Sequence, residues 1–221
     1  APLAPHLETT SRIYHWRGHQ LLDDVSVAVS PLAQVGQFAV ALDRSVTAGE
    51  VGQAITSADA LAALKISLGR NPNPDPDGPG PLQAPAVSPY QYIAADVNGD
   101  GVVTREDARA ILAVATGHAG AAGTALPQWL FIDETFDFWT GETSTAGAFT
   151  TTHRAVPAAG VREAIPYDAQ AGQALGAVAV LTGDVDGSWA APAGSSTLDP
   201  NYLNLLASLH PDRVQIAQFG V

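Results

Sequence analysis

Twelve residues constrain this chain more tightly than any other stretch: Asp96-Val-Asn98-Gly-Asp100-Gly101-Val102-Val-Thr104-Arg-Glu-Asp107. Asp96, Asn98 and Asp100 stand at the first, third and fifth places of a loop. Gly101 stands where the chain must turn sharply. Val102 offers a backbone carbonyl, and Thr104 and Asp107 close the set. A hard cation takes about six to eight oxygens, and this spacing wraps them around one point. The expected ligands are therefore Asp96, Asn98, Asp100, Val102, Thr104 and Asp107, and the expected ion is Ca2+.

The loop sits in an acidic chain of 221 residues, with 22 acidic and 10 basic side chains and a net charge of −12. Such a surface repels nucleic acid and anionic membranes. No apolar run approaches the roughly 20 residues that cross a bilayer, so no membrane insertion is expected. Cysteine is absent, which excludes disulfides, thiol nucleophiles and thiolate metal sites. Calcium-dependent stabilisation without disulfides suits millimolar external calcium, so a secreted or bacterial cell-surface location is expected. The chain opens on Ala1 without a charged and apolar leader, which suits a processed product or a fragment.

Before the loop, residues 1–11 read as a flexible arm. Ile13 to Arg17, Val25 to Ser30 and Phe38 to Leu42 alternate as strands do. His15 and His19 have a zinc-like spacing, but the strand pattern, Gly18 and the lack of a third ligand argue against zinc. Residues 55–69 predict a helix capped by Thr56 or Ser57, closed by Gly69, with a stripe of Leu61, Leu64 and Leu68. Residues 71–89 alternate prolines and read as a linker, in which Asp75 and Asp77 mark a solvated turn. After the loop, Thr104 to Thr116 predict a second helix with a stripe of Ala108, Ile111, Leu112 and Ala115.

The two helices repeat. Ile55 aligns with Val103, Thr56 with Thr104, Asp59 with Asp107, Leu64 with Leu112 and Gly69 with Gly117. In the first copy Ala48, Glu50 and Gly52 stand where the second has Asp96, Asn98 and Asp100. Asp43, Glu50 and Asp59 remain as a possible second metal set.

A calcium loop ending in Asp, followed by one helix and then repeated, resembles a type I dockerin. The resemblance runs over residues 43–118 and rests on Asp96 to Leu112. It implies an F-hand, which lacks the entering helix of an EF-hand, together with calcium-dependent folding and a protein partner such as a cohesin. By that resemblance, Arg105, Glu106 and Arg109 in one copy, and Ser57, Ala58 and Leu61 in the other, contact the partner. Trp129-Leu-Phe-Ile-Asp-Glu134, Phe136-Asp-Phe-Trp139, Leu181-Thr-Gly-Asp-Val-Asp-Gly-Ser-Trp189 and Gln215 to Val221 look like the C-terminal regions of large secreted bacterial adhesins of the type I secretion, RTX-like class. Tyr14 to Val27 looks like a segment preceding the repeat there.

Residues 119–221 read as β-rich, with strands at Trp129 to Ile132, Phe136 to Trp139, Ala148 to Thr152 and Ala177 to Leu181. Trp139 and Trp189 suit core anchors better than ligand platforms. Asp184-Val-Asp186-Gly187 reads as a turn, with metal contact as the alternative. Asp199-Pro200 to Leu209 reads as a capped short helix, and Val214 to Val221 as an edge strand. Catalytic patterns are missing: there is no Gly-x-Ser-x-Gly, His-Glu-x-x-His, phosphate loop or dinucleotide fingerprint. His153 and His210 have no evident partner, and Asp133 with Glu134 suits a solvated strand end.

The expected architecture is α+β: a dockerin-like pair of calcium-loop helices at 43–118, flanked by short strands at 1–42 and a small, sandwich-like β part at 119–221. The expected role is a secreted, calcium-binding structural or adhesive module that binds a protein partner or self-assembles into extracellular fibres. The alternatives are a cohesin-binding dockerin of a secreted enzyme and a glycan-active enzyme with structural calcium.

Overall fold

The computed structural model describes residues 6–17, 26–30, 37–78, 80–82, 84–118, 127–133, 165–168, 175–190, 204–210 and 213–216. Three strands, β1 (His6–His15), β2 (Ser26–Ser30) and β3 (Gln37–Asp43), lead into four helices, α1 (Ala48–Ala54), α2 (Ser57–Ser67), α3 (Pro89–Ala95) and α4 (Arg105–Ala115). Five strands follow: β4 (Trp129–Asp133), β5 (Ile165–Asp168), β6 (Leu175–Leu181), β7 (Asn204–His210) and β8 (Arg213–Ile216). The fold is mixed α+β.

Helices α2 and α4 are the repeated pair, and they pack on each other. Each is 11 residues long, opens on a threonine N-cap and ends before a left-handed glycine, Gly69 or Gly117. The caps are alike because Thr56 and Asp59, like Thr104 and Asp107, exchange hydrogen bonds around the first turn. The buried faces match the expected stripes only in part. Ala60, Ala62, Ala63 and Ile66 are buried on α2, while Leu61 and Leu68 are 53% and 58% exposed. On α4, Ala108, Ile111 and Val114 are buried and Leu112 is exposed. Alanine lets helix backbones approach closely, so the small-residue face wins the interface.

Helix α1 precedes α2 and helix α3 precedes α4, and neither was expected. Thr47 with Glu50 caps α1, and Ser88 with Gln91 caps α3, whose first residue is Pro89. Because α3 runs straight into Asp96, the loop has an entering helix as well as a leaving one. The F-hand expectation, which has no entering helix, is corrected to that extent. The described residues of 71–88 form no helix or strand, as the prolines there require. They also fold back on themselves: Asn71 and Asn73 donate through Nδ2 to the Pro85 carbonyl at 2.9 and 3.0 Å.

The strands run in the order β4-β6-β1-β7-β8-β2-β3-β5. Strand β1 joins the two halves of that order. His6 to Thr10 pair antiparallel with β7, and Ser11 to His15 pair parallel with β6. The segments before and after the helices therefore share one sheet, and residues 6–11 belong to a strand rather than to a flexible arm. Asn204–His210 is extended and lies between β1 and β8, not helical as its Asp-Pro start suggested. Pairing on both edges outweighs a local cap signal. Strand β8 lies between β7 and β2 and is not at an edge. A second sheet facing this one, as a sandwich requires, is not seen among the described residues. The expected strands at Phe136 to Trp139 and Ala148 to Thr152 lie outside them.

One core joins helices and sheet. Ile13, Ile55, Ile66, Tyr92, Ile93, Val103, Ile111, Phe131, Ile132, Val180 and Leu181 are all buried in it. Beyond β6 the chain turns at Gly183 (φ 96°), whose N–H donates to the Ala94 carbonyl of α3 at 2.7 Å. This turn carries residues 183–189 across the helices.

Candidate metal centres

The loop at 96–107 is closed by its own acidic side chains. Asp96 Oδ1 accepts the N–H groups of Gly99 at 2.9 Å and Asp100 at 3.2 Å, and its Oδ2 accepts that of Gly101 at 2.9 Å. Asn98 Oδ1 accepts from the Asp100 N–H at 2.8 Å, and Asp100 Oδ1 from the Val102 N–H at 2.9 Å. Asp107 ties the two ends together. Its Oδ2 accepts from the Thr104 N–H at 2.8 Å and hydroxyl at 3.0 Å, and its Oδ1 from the Asn98 N–H at 3.4 Å. Gly99 (φ 71°) and Gly101 (φ 86°) supply the left-handed backbone this wrapping needs.

Charge accumulates inside the loop. Asp96 and Asp107 are buried, whereas Asn98 and Asp100 are exposed at the rim. Burial, helped by repulsion from Asp107 and Asp100, pushes the Asp96 carboxyl above its ordinary range. Three carboxylates, an amide, a hydroxyl and the Val102 carbonyl form an all-oxygen donor set, which fits calcium.

The residues named for a second ion are distributed differently. Glu50 is 3% exposed and fully engaged. Its Oε2 accepts from the Thr47 N–H at 2.9 Å, while its Oε1 accepts from the Arg44 guanidinium and, at 3.2 Å, from the Trp189 indole N–H. Burial alone would raise this carboxyl, but the Thr47 N–H and Arg44 outweigh it and leave it below its usual value. Asp43 ends β3, and its side chain lies outside the described part of the chain. Glu50 is committed to Thr47, Arg44 and Trp189.

Asp59 meets the turn after β6. Asp59, Asp184 and Asp186 each bring a carboxylate oxygen to within 4.8 Å of one another. Among the described residues Asp96, Asp100 and Asp107 do not converge as closely. Asp59 and Asp184 are fully buried. Asp59 Oδ2 accepts from the Thr56 N–H at 2.9 Å, and its Oδ1 accepts from the Asp186 N–H at 2.9 Å. Burial, with repulsion from Asp186 and Asp184, raises the Asp59 carboxyl to about 6. This cluster was missed in part because 125 positions separate Asp59 from Asp184.

The aromatic residues around the cluster are structural. Trp189 meets Trp129 edge to face with ring centroids 5.3 Å apart, and Arg44 lies over the Trp129 ring at 4.8 Å. His15 is buried beside Trp189 on the sheet, and His19 lies outside the described residues. Asp75 and Asp77 form a turn, in which Asp75 Oδ1 accepts from the Asp77 N–H at 3.3 Å. Trp139, Glu134 and His153 lie outside the described residues. Asp133 closes β4, and His210 closes β7 with its side chain outside the described part. No described helix is long and apolar enough to cross a membrane. Comparisons with protein-family models, curated proteins and solved structures return no match.

Proposed function

We propose that this chain is a secreted, calcium-stabilised structural or adhesive module. The observation that carries the reading is the closure of residues 96–107 between α3 and α4. There Asp107, in the first turn of one helix, accepts from the Asn98 N–H just beyond the other. A calcium ion held by Asp96, Asn98, Asp100, Val102, Thr104 and Asp107 relieves the repulsion among three carboxylates and pins the start of α4. Helix α4 packs on α2, so the ion clamps the repeated pair and, through the common core, the sheet.

Its work is contact with other proteins, either a distinct partner or further copies of itself, outside the cell where calcium is plentiful. Strands β4 and β5 end the described strand order, and edge strands of that kind accept an added strand. The acidic surface keeps nucleic acid and anionic membranes away.

Sedimentation velocity of the full chain, in calcium and then in chelator, tests the assembly part of the reading. Calcium-dependent dimers, oligomers or fibres are expected if the chain is its own partner. A monomer in both conditions would rule out self-assembly and leave a distinct protein as the partner.

A further inference from the structure

The first copy of the repeat has no calcium loop in its own sequence, because α1 occupies the positions where that loop would stand. We propose that a second calcium site is nevertheless built there, split between Asp59 at the start of α2 and Asp184, Asp186 and Ser188 in the turn after β6. This goes beyond the proposed function, which rests on residues 96–107 alone.

The equivalence is atomic. Asp184-Val185-Asp186-Gly187-Ser188 matches Asp96-Val97-Asn98-Gly99-Asp100 place for place. Gly187 (φ 68°) and Gly99 (φ 71°) share the same left-handed backbone. The Ser188 N–H donates to Asp184 Oδ1 at 2.8 Å and to Asp186 Oδ1 at 2.9 Å, as the Asp100 N–H does to Asp96 and Asn98. The Trp189 N–H donates to Asp184 Oδ2 at 3.1 Å, as the Gly101 N–H does to Asp96 Oδ2. The Asp186 N–H donates to Asp59 Oδ1, as the Asn98 N–H does to Asp107 Oδ1. Asp59 thus holds the closing position that Asp107 holds in the continuous loop.

A separate observation points to an occupant. His15, on β1, is fully buried and belongs to neither half of the split loop. Its Nδ1 lies 2.9 Å from the Arg17 carbonyl oxygen and 3.4 Å from the Arg17 backbone nitrogen, so Arg17 occupies that side of the ring. Its Nε2 has no hydrogen-bond partner, yet it is aimed at Asp184 Oδ2 from 3.3 Å. Buried ring nitrogens are ordinarily satisfied, so a fully buried one that makes no hydrogen bond and is aimed at a cluster of three carboxylates points to a further group bound by that cluster. A divalent cation held by Asp184, Asp186 and Asp59 is such a group, and it offsets the mutual repulsion of the three carboxylates. Three carboxylates and the Ser188 hydroxyl are hard oxygen donors, so calcium is the ion the site suits.

The test is equilibrium dialysis of calcium on the full chain at neutral pH, with circular dichroism on each variant. Two ions per chain are expected, falling to one in Asp186→Ala and to one in Asp100→Ala. Asp186→Asn should keep two, because Asn98 serves at the same place in the continuous loop. A single ion that survives Asp186→Ala but is lost in Asp100→Ala overturns the split site and leaves the loop at 96–107 standing. A single ion lost in Asp186→Ala and kept in Asp100→Ala supports the split site and removes the loop reading. No ion overturns both. Terbium emission sensitised by tryptophan, measured on Asp100→Ala, reads the split site without altering it. Trp189 is part of that loop, so emission is expected, and its absence overturns the proposal.

Discussion

Gly99 and Gly187 hold matching positions in the two loops, yet they tolerate a side chain differently. Both have positive φ, so alanine at either costs about 1 kcal/mol for conformation alone. A Cβ at Gly99 meets nothing, whereas one at Gly187 falls 2.6 Å from the Trp16 ring and 2.7 Å from Arg17 Cβ. Gly187→Ala should therefore destabilise by about 1–3 kcal/mol more than Gly99→Ala, as steric strain at a fixed backbone does. Urea unfolding of the two variants in chelator checks this, and equal midpoints would contradict it. Asp59 gives a pH signature. Burial pushes its carboxyl up to about 6 in the fold, above the ordinary aspartate value of about 4, so the native state holds the extra proton between those values. In chelator this group should lower stability as pH rises from about 4 to about 6, and Asp59→Asn should flatten that fall. At this scale the hydrogen-bonded closure of the loop at 96–107 was legible because its acidic and amide side chains are contiguous. Asp59 was legible as a survivor of the repeat, but its companions lie 125 positions away and announce themselves only as a turn.

The helices show which signals survive in a sequence. Helices α2 and α4 carry threonine caps, closing glycines and 11 residues each, and their extents follow from those marks. Helices α1 and α3 are 7 residues long, and their capping pairs, Thr47 with Glu50 and Ser88 with Gln91, were hidden among glycines and prolines. The leucines misled: Leu61 and Leu68 on α2 and Leu112 on α4 are exposed, while Ala60, Ala62, Ala63 and Ile66, and Ala108, Ile111 and Val114, are buried. The Asp199-Pro200 cap signal likewise gave way to strand pairing in β7. The matched caps make an element-scale prediction. In chelator, Thr56→Ala and Thr104→Ala should each cost about 1 kcal/mol, since each removes a side-chain acceptor from its helix start. Denaturant titration should give values within about 0.5 kcal/mol of each other, the usual additivity error. A much larger loss at one helix would break the claimed equivalence.

At the scale of the whole molecule, the strand order was the least legible feature. Periodicity located β2, β3, β4 and β6 but carries no record of which strand pairs with which. Strand β1 reaches both β6 and β7, so the sheet depends on pairings between distant parts of the chain. The helix unit sits between those parts and shares their core, which is why an ion at one helix start is expected to stabilise the whole. Calcium at about 100 times its dissociation constant contributes about 2.7 kcal/mol. For a chain of this size that corresponds to roughly 5–10 °C in melting temperature. The most direct measurement is thermal unfolding of the full chain in calcium and in chelator, alongside Asp96→Ala in calcium. The calcium clamp predicts a single transition that falls by at least that amount on chelation, with Asp96→Ala melting well below the wild type in calcium. Superimposable wild-type curves in calcium and chelator would contradict it.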